Sequence, residues 1–487
     1  MKKIFFYILA TGCLAGFSSC KKFLDVTASN QIKSEDLLSN ESGFKDALMG
    51  VYIGMGQYNN YGAMQSYIAT DILAQQYKPM VNLSIYFQLQ AYNYQHQAAR
   101  KYTDMFWDLY KTIAGINNAL TQIDKQQTVF NPINFKVIKG ELLALRAFLH
   151  FDLLRLYGHE NYQGRPDLAS FPAIPYITTY GKGVTPQKTY AETFALLLKD
   201  IQEATVLLHE DPIYPNTSRP ANYYTSVNVD GFYNNRNSRM NYYAVKALEA
   251  RVYTWMGGTA NLQKAAQAAR EVIDNGTAKL INSNNSGSTD RSFAAEHIFH
   301  LEVYSLALWA GALKSGSAAD YNALFVDETA FNTIYELNDP QVGAVDKRQI
   351  VQFVQDGNGR TPVKLAAAPG QTSNKFLPVM RVSEMYYIEA EYELVNNREK
   401  AIQLLNEVRR SRGILKDIPE SATADQVKLE LTKEYQKDFS AEGQLFFYYK
   451  RNGFDTFRGL PSTIKGDDKL YMLPYPQNEL ELGNRVQ

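Results

Sequence analysis

Residues 141–158 read Glu141-Leu142-Leu143-Ala144-Leu145-Arg146-Ala147-Phe148-Leu149-His150-Phe151-Asp152-Leu153-Leu154-Arg155-Leu156-Tyr157-Gly158. Apolar residues fall at three- and four-residue steps and run back to Phe135, which predicts one long helix over Phe135 to Tyr157. Gly158 is placed where a helix commonly stops. Asp152 and Arg155 are three apart and can pair on a polar side of that helix. Such a pair contributes only about 0.2–0.5 kcal/mol if it is exposed.

The same periodicity recurs on both sides of this segment. Phe44, Ala47, Leu48, Val51 and Tyr52 share one helical face after Ser42-Gly43. From 104, Met105, Phe106, Leu109, Tyr110, Ile113, Ile116 and Leu120 mark another helix, followed by a loop around Asn131-Pro132. Further helices are predicted over Thr189 to His209, Asn241 to Met256, Leu262 to Asn275, Arg381 to Leu394, Arg398 to Arg412 and Ala424 to Phe439. Ile298 to Tyr304 reads as a short strand, and 310–375 as irregular. Helix pairs with small residues at Ala144, Ala147, Ala247, Ala250, Ala390 and Ala401 resemble tetratricopeptide units, without a fixed period. The predicted fold is therefore mostly α: tetratricopeptide-like helical hairpins forming a scaffold, with long irregular loops and minor β. Loops as long as 160–188 and 211–238 are uncommon unless they carry function.

The N-terminus has its own pattern. Lys2-Lys3, an apolar run over Ile4 to Leu14, and Ala15-Gly16-Phe17-Ser18-Ser19-Cys20 form a signal peptide whose cleavage site abuts a cysteine. That is the arrangement of a bacterial lipoprotein. Residues 1–19 would be removed, and Cys20 would carry the lipid at the head of a single domain, 20–487. Of the two cysteines the other, Cys13, lies in the signal, so a disulfide or a cysteine-ligated metal site is excluded from the mature chain.

Fifty Lys+Arg balance fifty Asp+Glu. A nucleic-acid binder normally carries a basic excess, so nucleic acid is not expected as a partner. No HExxH, G-x-S-x-G, P-loop or G-x-G-x-x-G in context occurs. His297 and His300, if on a strand, face opposite sides and cannot share a metal. Neither catalytic residues, a metal nor a cofactor are expected. What the chain does offer is 34 Tyr and 25 Phe. Aromatic faces stack on the apolar faces of sugar rings, while Asn, Gln and Arg bond hydroxyls. The candidate platform is Tyr77 to Arg100, with Tyr77, Tyr86, Phe87, Gln90, Tyr92, Asn93, Tyr94 and Gln95; a second candidate surrounds Tyr304 and Trp309.

Several segments together resemble the SusD/RagB family of outer-membrane nutrient-binding lipoproteins. They are Cys20 to Asp25, Phe44 to Tyr52, Trp107 to Ile113 with Asn117-Asn118, and Glu141 through Gly158. Ala250 to Tyr253, Arg381 to Glu391, Asn406 to Arg409 and Leu473 to Leu480 continue the series to the C-terminal region. The resemblance implies a lipid-anchored protein on the outer membrane, at the cell surface, over a SusC-like TonB-dependent transporter. It would bind oligosaccharides or polysaccharides and deliver them without bond-making. A peptide-binding lid of a peptide importer is the alternative ligand class, and a lipid-anchored hydrolase the enzymatic one.

Overall fold

The computed structural model describes residues 34–215, 222–282, 290–313, 321–357, 359–367 and 374–487. The expected signal segment and Cys20 lie outside the described residues. The scaffold is built from helices α1 (Glu41–Met55), α2 (Lys101–Ile123), α3 (Pro132–Tyr157), α4 (Tyr190–Leu207), α5 (Tyr242–Met256) and α6 (Thr259–Asn275). A short helix α7 (Leu306–Gly311) follows, then α8 (Val382–Asn396), α9 (Arg398–Ser411), α10 (Ala424–Asp438) and α11 (Gln444–Arg451). Neighbours in sequence pack as hairpins: α2 on α3, α3 on α4, α5 on α6 and α8 on α9, with α6 also against α8.

Helix α3 is the axis of this arrangement. It is buried around its whole circumference from Val137 to Tyr157, apart from the partly exposed Lys139, as a central helix must be. It begins three residues before its predicted start, because Asn131 caps it by accepting from the Ile133 amide and Pro132 occupies the first turn. At Gly140 an added Cβ would stand 2.9 Å from Leu208 Cγ and 3.1 Å from Leu207 Cβ, so the missing side chain sets how closely the end of α4 approaches. Thr189 starts α4 through a capping box with Glu192, and Thr423 starts α10 through one with Gln426. The α5–α6 turn needs two left-handed residues, Gly257 (φ 65°) and Gly258 (φ 78°).

The Asp152–Arg155 pair is not on a solvated face. Both residues are buried, Arg155 donates to Asp152, and Tyr61 also donates to that carboxylate at 2.5 Å. The other polar groups of α3 are matched in the same way. Glu141 accepts from Tyr52, Arg236 and Arg239, and Arg146 makes a two-pronged contact with Asp200 at 2.7 Å each. Buried charges persist only when paired and hydrogen-bonded.

Among the described residues the strands form two antiparallel pairs: β1 (His297–Glu302) with β4 (Phe376–Arg381), and β2 (Phe353–Asp356) with β3 (Gly359–Pro362). Strand β4 corrects the reading of Arg381 as the start of a helix. Arg381 ends the strand and stands immediately before α8, without a side-chain bond to the helix's amides, and Pro378 is tolerated because each strand of a two-stranded sheet is an edge. The stretch 310–375 also holds helices Glu328–Ile334 and Lys347–Val351, besides β2 and β3. Where β1, β4 and α10 meet, Arg348, Arg381 and Arg412 are fully buried among Asp346, Glu296, Glu434, Asp438 and Glu442.

Candidate functional site

The stretch 57–100 folds into short turns, and these bring distant aromatic side chains to one place. Tyr58 and Tyr67 lie on two single helical turns after α1, Tyr58–Gly62 and Met64–Ile68. Across from them is α7, held by backbone bonds from Trp309 to Ser305 and from Ala312 to Leu308. The Trp309 indole meets Tyr58 edge to face at 5.3 Å. Gly62 makes this possible, since a Cβ there would stand 2.9 Å from the indole. Tyr304, in the turn entering α7, is 95% exposed, and Leu308 is also exposed.

The opposite rim is the loop 78–86, whose Val81, Leu83 and Ile85 are exposed. Its shape is fixed by polar contacts. The Met80 amide donates to Gln90 Oε1 at 2.7 Å, and Gln90 Nε2 donates to the Lys78 carbonyl at 3.0 Å. The Lys78 amide donates to the Phe325 carbonyl at 2.8 Å, and the Ile85 amide to Asn322 Oδ1 at 3.0 Å. Among the described residues the exposed side chains of the resulting rim (Tyr58, Val81, Leu83, Ile85, Tyr304, Leu308, Tyr321 and the partly exposed Trp309) are uncharged, and the one charge in its loop, Lys78, stands with its ammonium 4.0 Å from the centroid of the Phe325 ring.

Below the rim is a slot of ≈ 20 Å³, room for about one water, lined by Tyr67, Tyr77, Ala310, Leu313, Thr361 and Lys364 among others. The Tyr67 hydroxyl is buried without a hydrogen-bond partner. An orphaned buried hydroxyl costs free energy, so it marks a place where a further polar group belongs. Tyr77 instead donates to the Tyr67 carbonyl at 2.6 Å and lies 3.4 Å from Asp71. Burial pushes the Asp71 carboxyl up to about 7, although the Ala441 and Gly443 amides donate to it.

The sequence-predicted residues therefore divide. Trp309 and Tyr304 gather at the rim, Tyr86 is buried beside Tyr58, and Tyr77 is buried at the slot. Burial, and after it the neighbouring Tyr58 and its hydroxyl, raise the Tyr86 phenol. Gln90 is buried and braces the loop. Tyr92 is half-buried with φ 55°; its hydroxyl donates to the Leu73 carbonyl and accepts from Gln75 Nε2. Tyr94 is buried and donates to the Leu470 carbonyl at 2.7 Å, against the C-terminal region. Asn93 is exposed and donates to Gln88 Oε1. Burial thus withdraws Tyr77, Tyr86, Gln90 and Tyr94 from the exposed platform expected over 77–100, and leaves Tyr92 partly and Asn93 fully open. Tyr58, Tyr67 and the three aliphatic rim residues are additions. Their one sequence signal is the low charge and high Tyr/Asn/Gln content of 57–100.

His297 and His300 are closer than alternation along a strand allows. Irregular register between His297, Phe299 and His300 brings the imidazoles to 5.3 Å. Burial lowers both, His300 to about 4, so they are neutral at pH 7. Among the described residues no group of three or more His, Cys, Asp or Glu is arranged to hold a metal ion, and no helix is long and apolar enough to cross a membrane.

Two family models match the chain. One, SusD-like, described as "Starch-binding associating with outer membrane", matches residues 22–227; the other, described as "SusD family", matches residues 363–485. No curated protein matches in sequence. Among solved structures, a SusD superfamily protein from Bacteroides thetaiotaomicron is 21% identical, with 92% of this chain and 99% of that one covered and a TM-score of 0.69. A SusD-like carbohydrate binding protein from Bacteroides vulgatus is 17% identical, with coverage of 92% and 97% and a TM-score of 0.69. A SusD superfamily protein from Bacteroides fragilis is 17% identical, with coverage of 93% and 100% and a TM-score of 0.66. At these identities the likeness is one of fold.

Proposed function

The chain belongs to the SusD/RagB family, and on that premise we propose that it is a cell-surface lipoprotein that captures neutral glycans at the Tyr58–Trp309 rim and passes them to a SusC-like TonB-dependent transporter. Capture involves no bond-making. Cys20 carries the lipid that holds residues 20–487, a single domain, to the outer membrane.

The observation that supports this reading is the pairing of exposed aromatic faces with a rim low in charge, whose one loop cation, Lys78, is turned onto the Phe325 ring. Tyr304 stands almost fully in solvent, and Trp309 is fixed in place by Tyr58. A pyranose has an apolar face that stacks on such rings, and its hydroxyls need neutral polar partners. The orphaned Tyr67 hydroxyl, in the slot beneath, is a neutral polar group without a partner.

The test is affinity electrophoresis of residues 21–487 through gels containing neutral polysaccharides. Retardation by one polymer, lost in Trp309→Ala, supports capture at this rim. Migration unchanged in every gel overturns the glycan reading.

A second reading, a peptide-binding lid, is favoured by Val81, Leu83, Ile85 and Leu308. Exposed aliphatic side chains clustered on one rim suit apolar peptide side chains better than hydroxyls. Saturable binding of an unlabelled peptide mixture, with no retardation by any glycan, would select it.

A further inference from the structure

The stretch 77–100 serves two places. Its first half forms the rim facing Trp309. Gln95, Gln97 and Arg100 instead line a second groove of about 430 Å³, closed on its other side by Pro474 to Leu480. That volume falls within the usual range for small-molecule sites.

At its edge, on the second turn of α2, Trp107 is 41% exposed. Phe106 meets it edge to face at 5.5 Å, which fixes the indole and leaves part of it open to the groove. The floor is rigid: Tyr102 donates to the Tyr94 carbonyl at 3.1 Å, and Tyr475 to the Ala173 carbonyl at 2.7 Å. The side chains of Gln97, Asp104 and Asn478 are exposed, and among the described residues they make no hydrogen bond. Arg100 and Asp104 cancel in charge, so the groove favours neither an anion nor a cation.

We propose that this groove is a second saccharide subsite. It takes one neutral pyranose unit, with Trp107 against the apolar face of the ring. Asp104 accepts from ring hydroxyls, and Gln97 and Asn478 donate to or accept from others. The inference rests on the glycan reading above and adds a consequence to it. Two subsites on one body make the second contact with a polysaccharide intramolecular, which raises affinity for polymer over short oligosaccharide by about 10²–10⁴-fold where the chain can span both.

The experiment compares wild type, Trp107→Ala, Asp104→Ala and Trp309→Ala, as residues 21–487, in gels of amylopectin, xylan and galactomannan. Calorimetry follows with a hexasaccharide of whichever polymer retards the wild type. The expected result is two oligosaccharides bound by wild type and one by either Trp107→Ala or Asp104→Ala, with polymer affinity at least tenfold weaker in both. Asp104 is exposed and unbonded, so its variant reports on the groove even if Trp107→Ala perturbs the fold. One oligosaccharide bound by wild type, with unchanged polymer affinity in both groove variants, overturns the subsite and leaves the Trp309 site standing. No retardation of wild type by any polymer overturns both.

Discussion

Trp309 meets Tyr58 edge to face, with ring centroids 5.3 Å apart and planes at 88°, joining α7 to the turn that follows α1. The contact holds the indole still while Tyr304 remains in solvent. An aromatic anchor fixed before binding contributes more than a mobile one, because less side-chain freedom is lost. Trp309→Ala should weaken glycan binding by about 2 kcal/mol, roughly thirtyfold. Its urea unfolding midpoint should move by no more than about 1 kcal/mol equivalent. Calorimetry and urea denaturation check the two halves, and unaltered affinity in a folded variant would remove Trp309 from the site.

Tyr92 has a different role from its neighbours at the rim. Its hydroxyl donates to the Leu73 carbonyl at 2.7 Å and accepts from Gln75 Nε2 at 3.0 Å. Tyr92→Phe should lower stability by about 1–2 kcal/mol while retardation in polysaccharide gels stays as in wild type. A loss of retardation without a loss of stability would return Tyr92 to the list of ligand contacts.

The buried ionic cluster makes stability pH-dependent on the acid side. Burial opposes the charge on Glu434, yet Arg348, Lys437 and Arg409 hold its carboxyl down at about 2. The same sense applies to Asp438, where burial is overcome by Arg381, Arg412 and Arg348. In the unfolded chain a glutamate titrates near 4.3. A depressed carboxyl contributes stability that is present above the unfolded value and is lost as pH falls through the folded one. For Glu434 that window runs from about pH 4.3 down to about pH 2, for up to about 3 kcal/mol. Urea titrations at pH 5 and pH 2.5 should show wild type losing stability across this interval. Glu434→Gln should be less stable at pH 5, by about 3–5 kcal/mol for the unpaired arginines, and should fall less steeply. Parallel slopes in the two proteins would contradict the assignment.

Two helix glycines should respond to alanine with opposite signs. At Gly140 a methyl would press on Leu208 and Leu207, and overpacking costs about 1–3 kcal/mol, more than the helix gains from losing a glycine. At Gly115 nothing lies within 4 Å of the new Cβ, so Gly115→Ala should stabilise by about 0.5–1 kcal/mol. Thermal midpoints of the two variants, measured side by side, decide this. A stabilised Gly140→Ala would show that α4 can move away from α3.

The helical frame is legible in the chain because its signals are local. Leu142 to Tyr157 repeats its apolar residues at helical spacing, Asn131 and Thr189 cap, and Gly257-Gly258 turns the chain, all within a few residues of where they act. Strand β4 was hidden because Phe376 to Met380 acquires its conformation from β1, a segment far away in sequence. The His297–His300 approach was hidden for the same reason: the register irregularity belongs to the pair of strands, and one strand alone reads as regular alternation.

The site divides along the same line. The sequence by itself determined that the chain is a helical scaffold with a stretch, 57–100, low in charge and rich in Tyr, Asn and Gln, and that Tyr304 and Trp309 stand apart from that stretch. Only the tertiary structure decided which aromatics face solvent. Tyr94 lies deep because Leu470 supplies a carbonyl for its hydroxyl, and Tyr304 is exposed because none of the described residues packs over it. Composition is a property of a segment, whereas burial of a side chain is set by whatever distant segment lands against it.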